Sequence, residues 1–165
     1  MIFGMTILTF VHVLLSLLGI LAGFGVMFGL FASKPLKGWT AVFIWTTVAT
    51  SVTGFLFPFH RFLPSHAVGI ISLVVLTVAI YALYGRHLAG AWRRVYAVMA
   101  MVALYLNVFV LVAQLFDKVP ALKVLAPTKT EAPFKEAQLA VLVIFVVLTI
   151  LAAIKSRGGQ VQPAS

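Results

Sequence analysis

The chain has 165 residues, of which 63% are hydrophobic and 9% charged, with a formal net charge of +9 and no cysteine. An average soluble domain carries roughly a quarter charged residues, so a water-exposed globule with an ordinary polar surface is excluded. The lack of Cys removes disulfides, thiolate metal sites, iron–sulfur clusters and cysteine nucleophiles together.

Five long runs contain no Asp, Glu, Lys or Arg: residues 2–33, 38–59, 65–84, 95–116 and 137–154. The 12 basic and 3 acidic side chains all lie between or after them. A charge at mid-bilayer costs at least ~2.5 kcal/mol, and roughly 20 apolar residues cross the hydrocarbon layer. The expected fold is therefore all-α: an integral membrane, five-helix transmembrane bundle.

The first run has no basic stretch before it and is too long for a signal-peptide core, so it reads as a resident helix. Gly19, Gly23, Gly25 and Gly29 make overlapping small-xxx-small pairs along it. In lipid such pairs let backbones approach closely, either within the chain or by self-association with another subunit. The connector Lys34-Pro35-Leu36-Lys37 opens the second run, whose Thr46, Thr50 and Thr53 share one face beside Thr47, Ser51 and Gly54. Pro64 before Ser65 marks the start of the third helix, with Ser65 expected as its N-cap. The basic connector 85–94 leads into the fourth run, where Asn107 and Gln114 stand seven residues apart on one stripe with Ala100 and Ala103. Lipid offers an amide no partner, so both are expected to face the bundle. In the loop 117–135, Pro120 followed by Ala-Leu-Lys-Val-Leu suggests a short interfacial helix. Residues 1–157 then form one transmembrane domain, and 158–165 a disordered cytoplasmic tail.

Five crossings put the termini on opposite sides. With the N-terminus outside, the inner side receives Lys34, Lys37, Arg86, Arg93, Arg94, Lys155 and Arg157. The outer side holds Arg61, Lys118, Lys123, Lys129 and Lys135 together with Asp117, Glu131 and Glu136. Lys and Arg favour the cytoplasmic side, so the reading is N-terminus out and C-terminus in. The scattered cations fit contact with anionic headgroups on the inner side and argue against nucleic acid.

His12 lies roughly 32 Å along a helix from Lys34, which puts it near the outer interface. His60 ends the second span and His66 opens the third on that same side, so three of the 4 histidines share one layer. Neutral imidazoles there suit a transition metal or haem iron, with His12, His60 and His66 as ligands. Asn107 and Gln114 would add polar contacts to a haem b or quinone head group. No Lys, Arg or carboxylate lies within a run, as ion-coupled transport usually needs, and no nucleophile elbow, Walker, Rossmann or HExxH pattern occurs. Nothing positive points to an enzyme.

Residues 38–40 (Gly-Trp-Thr) through 53–55 (Thr-Gly-Phe), Phe57-Pro58-Phe59-His60 and Ser65-His66-Ala67-Val68-Gly69-Ile70 resemble a group of small polytopic inner-membrane proteins of proteobacteria. The likeness continues through 104–110 (Leu-Tyr-Leu-Asn-Val-Phe-Val) and Leu125-Ala126-Pro127. The group has no assigned activity, so the resemblance implies the bacterial inner membrane and nothing catalytic. The sequence thus leads to a non-catalytic multi-pass protein with an outer-leaflet His/Asn site for a metal, haem b or quinone, in electron transfer or cofactor handling. The alternatives are a structural or assembly subunit of a larger membrane complex and a small-molecule channel or exporter.

Overall fold

The computed structural model describes residues 6–34, 36–57 and 64–156. Helix is the only regular structure among them, in the order α1 (Ile7–Phe31), α2 (Lys37–Gly54), α3 (Pro64–Ile80), α4 (Trp92–Lys118), α5 (Pro120–Leu125) and α6 (Ala132–Lys155). A π-helical turn, Tyr81–Gly85, continues α3. Four helical segments are long and apolar enough to cross a membrane: Ile7–Phe31, His66–Gly85, Trp92–Lys118 and Ala132–Lys155. The fifth long helix, α2, has 18 residues but opens on Lys37 and carries Thr and Ser throughout, which lowers its hydropathy below theirs.

The boundaries follow local chemistry. Thr6 caps α1 by accepting a hydrogen bond from the Thr9 amide at 3.2 Å. Pro64 occupies the first position of α3, where a missing N–H costs nothing, so Ser65 lies inside the helix and is not its N-cap. Pro120 opens α5 in the same way, and this short helix falls where the sequence places it. Helices α4 and α6 begin several residues before the charge-free runs, because Arg93, Arg94, Lys135 and Glu136 are tolerated in terminal turns at an interface. Helix α2 ends earlier than residue 59: Phe55–Phe57 leave the helix in a turn.

Helices α1 and α2 form the most extensive pair, and α4 is the central element, packing on α1, α3, α5 and α6. Phe43, Ile44, Thr47, Leu76, Met101 and Leu104 are the largest side chains buried at the centre. The glycines of α1 make this packing possible. A Cβ on Gly23 would lie 2.5 Å from Leu104 Cδ1 and 2.9 Å from Phe43 Cε2, and one on Gly25 would lie 2.8 Å from the Trp39 ring. Gly19, Gly23, Gly25 and Gly29 all face neighbours within the chain. The outside is apolar instead: Leu21, Phe28, Val74, Leu139, Ile144 and Ile150 are each more than half exposed. Large apolar faces of this kind suit a helical bundle with hydrocarbon around it.

Candidate functional site

The polar side chains inside the bundle are concentrated on the seam between α1 and α2. The helices run antiparallel, which brings His12 opposite Thr53 and Gly19 opposite Thr46 and Thr47. At the first level, His12 Nδ1 lies 2.9 Å from Thr53 Oγ1. Thr53 Oγ1 donates its one proton back to the helix, to Ala49 O at 2.8 Å and Thr50 O at 3.1 Å. With that proton on Ala49 O, Thr53 Oγ1 can accept from a His12 Nδ1–H, and in that tautomer the ring's lone pair is on Nε2. The ring stands edge-on to Phe57, with centroids 5.2 Å apart, and lies against Gly54. Ser16 Oγ donates to His12 O at 2.8 Å, so both the backbone and the ring of His12 are held.

One turn deeper on α2, Thr50 Oγ1 is buried and has no hydrogen-bond partner among the described residues. Deeper again, Asn107 Nδ2 donates to Thr47 Oγ1 at 3.1 Å, and Thr47 is fully buried. A Cβ on Gly19 would lie 3.1 Å from Thr46 Oγ1 and 3.3 Å from Thr47 Oγ1, so the threonine face is filled by packing against α1 and α4. Thr46 satisfies itself through Val42 O at 2.6 Å.

The residues expected to form one site are therefore spread over several places. His12 and Asn107 lie on the same seam, but Asn107 is level with Gly19, about 10 Å farther along the α1 axis. His66 is buried at the start of α3 and stacks on Phe55, with centroids 5.9 Å apart, on the other side of the Phe55–Phe57 turn. Gln114 is exposed, against expectation: it sits one turn from the end of α4, where solvent or headgroups can satisfy the amide. His60 lies outside the described residues. Among the described residues, no group of three His, Asp or Glu side chains is placed to hold a metal ion. The acids of the loop are occupied with loop structure. Asp117 pairs with Lys129 at 2.7 Å, and Glu131 accepts from Thr128 Oγ1 at 2.7 Å and from the Thr130 amide at 3.0 Å.

Gln138 was not evident as a structural residue from the sequence. It is buried on α6, and its Nε2 donates to Phe109 O at 3.0 Å across the α4–α6 contact. The signal was its place as the first amide inside an otherwise apolar run. The chain matches no protein-family model, no curated protein and no solved structure.

Proposed function

We propose that this chain is a non-catalytic, multi-pass protein of the bacterial inner membrane that binds the polar head of an amphipathic cofactor at its outer end. In this reading α2 is the fifth span, the N-terminus faces outward, and the C-terminus is cytoplasmic. The cofactor class is a quinone in its reduced, hydroxyl-bearing form, ahead of haem b or a transition metal. One observation supports this order: with the Thr53 proton on Ala49 O, Thr53 Oγ1 can accept a hydrogen bond from His12 Nδ1–H, the tautomer that presents a lone pair on Nε2. A single positioned acceptor, next to the unpartnered Thr50 hydroxyl and the Phe57 ring, suits an O–H donor on a planar ring. Chelation of a metal would ask for further ligands from His60 or His66.

The test uses a short-chain hydroquinone and its dimethyl ether, which has the same ring but no O–H. The hydroquinone is expected to bind the purified protein about tenfold more tightly than the ether, the yield of roughly one well-formed hydrogen bond. His12→Phe should remove that difference. Equal binding of the two compounds would exclude the quinol reading, while a Soret band or stoichiometric metal in the purified protein would replace it with haem or metal.

A second reading, a structural or assembly subunit, is favoured by α6. Val143, Ile144, Val147, Ile150 and Ile154 leave much of that helix uncovered. Native mass measurement after gentle solubilisation separates the two, since a monomer in membranes counts against the subunit. The channel or exporter reading loses support from the close fit of Gly19 against Thr46 and Thr47.

A further inference from the structure

Between α4 and α6 the chain makes a closed loop at the level where the apolar run of α4 ends. Phe116, in the last turn of α4, stands edge-on to Phe134 in the first turn of α6, with ring centroids 5.3 Å apart. In the next position, Asp117 takes the Lys129 ammonium at 2.7 Å, so residues 118–128 leave this level and return to it. The charge-free run of α4, residues 95–116, is roughly 33 Å of helix, against the ~30 Å of the hydrocarbon layer. With α4 as a span, Asp117 and Lys129 mark the edge of that layer. Helix α5 lies inside the loop, and its 6 residues rise only about 9 Å.

This short helix buries none of its side chains. Val124 is 78% exposed, more than any other large hydrophobic side chain among the described residues, and Leu125 is 55% exposed. The helix is nevertheless held at both ends. The Val119 amide donates to Leu115 O at 2.9 Å, the Ala126 amide donates to Leu122 O at 3.1 Å, and the Ala126 side chain is 1% exposed. Val124 and Leu125 are thus presented outward by a fixed frame. Leu115 and Val119, also partly exposed, continue the apolar surface from the flank of α4 to the start of α5. Lys118 and Lys123, the chain neighbours of Val119 and Val124, are exposed as well. The acids Asp117 and Glu131 are already engaged, by Lys129 and by Thr128 and Thr130.

We propose that α5 is a membrane-interface anchor: Val124 and Leu125 enter the edge of the hydrocarbon, and Lys118 and Lys123 reach anionic lipid headgroups. The headgroup layer adds roughly 5–8 Å beyond the hydrocarbon, comparable with the rise of α5, so the apolar pair has lipid within reach. Apolar side chains are stabilised at that depth, and a lysine lays its stem along them while its ammonium stays among phosphates. A second copy or another protein would meet a patch of two large side chains, well short of the roughly 1,000 Å² that a stable interface buries. The inference rests on α4 and α6 being spans, and not on the His12 site or on which compartment this end faces.

The test uses the full chain, which has no cysteine of its own, in vesicles of equal phosphatidylglycerol and phosphatidylcholine. Val124→Cys, Val143→Cys and Thr130→Cys each take a nitroxide label. Its collisions with oxygen, which concentrates in lipid, are compared with those of a water-soluble nickel complex. Val143 faces outward at the middle of α6, and Thr130 is an exposed polar residue of the same loop as α5. The Val124 label should collide more with oxygen than with nickel, as the Val143 label does, and the order should reverse at Thr130. Lys118→Gln/Lys123→Gln should shift the Val124 label toward nickel and leave the Val143 label unmoved; no shift overturns the headgroup contact. Nickel-dominated collisions at Val124, with Val143 in lipid, overturn the anchor and leave the spans standing. A Val124 label shielded from both reagents overturns it in favour of a protein contact. Nickel-dominated collisions at Val143 refute the spans, and the anchor falls with them. Should Val124→Cys fail to fold, Leu125→Cys carries the same comparison.

Discussion

Position 23 shows how closely α1 approaches its neighbours, since a single methyl group there would collide with both Leu104 and Phe43. Those side chains are 1% and 0% exposed and have no space into which to withdraw. Gly23→Ala is expected to destabilise the bundle by about 1–3 kcal/mol, the usual cost of overpacking. Gly38→Ala, which meets nothing within 4 Å, should be neutral or slightly stabilising. Thermal unfolding in one detergent checks the pair, and a neutral Gly23→Ala would mean that α1 packs less closely than described. Asn107→Leu removes the bond to Thr47 and should cost about 1 kcal/mol, within the range for buried hydrogen bonds in membranes. Thr47 limits the loss, because its hydroxyl can turn to a carbonyl of its own helix. The same property of threonine favours a proton on His12 Nδ1. Thr53 spends its donor on Ala49, so Thr53→Val should leave the His12 tautomer unfixed and weaken hydroquinone binding without altering helix content by circular dichroism.

Among the elements, the loop between α5 and α6 responds to pH through Glu131. The Thr128 hydroxyl, with help from the backbone amides of Thr128 and Thr130, holds the Glu131 carboxyl below its ordinary value of 4.5. A carboxylate depressed in the folded state contributes order that is complete above its unfolded value and fades as pH falls through the folded one. Protection of the Thr128 and Thr130 amides from hydrogen exchange should therefore hold above pH 4.5 and decline below it, with no such decline in Glu131→Ala. A flat profile in the unaltered protein would show that Glu131 does not order this loop. The helices themselves were legible in the sequence, because charge-free runs and the prolines at 64 and 120 mark them directly. The end of α2 was not. Phe55–Phe57 continue the apolar composition while leaving the helix, and hydropathy does not register a turn whose rings pack on His12 and His66.

For the molecule as a whole, the sequence located polar residues by depth but not by partner. His12 and Thr53 are 41 residues apart, and their pairing depends on the antiparallel register of α1 and α2, which composition does not encode. Asn107 was correctly read as facing the bundle, and Gln114 was not, because a seven-residue spacing carries no information about where neighbouring helices end. Direction in the bundle depends most on α2 being a span, since that makes five crossings and places the start of α1 and the end of α6 on opposite sides. The chain's lack of cysteine permits a direct measurement in intact cells. A cysteine replacing Thr6 and a cysteine replacing Ser156 are each treated with a membrane-impermeant thiol reagent. The account predicts that Thr6→Cys is labelled at once and Ser156→Cys only after the inner membrane is permeabilised. Labelling of both positions from the same side would contradict five crossings, and with them the outward-facing His12 site.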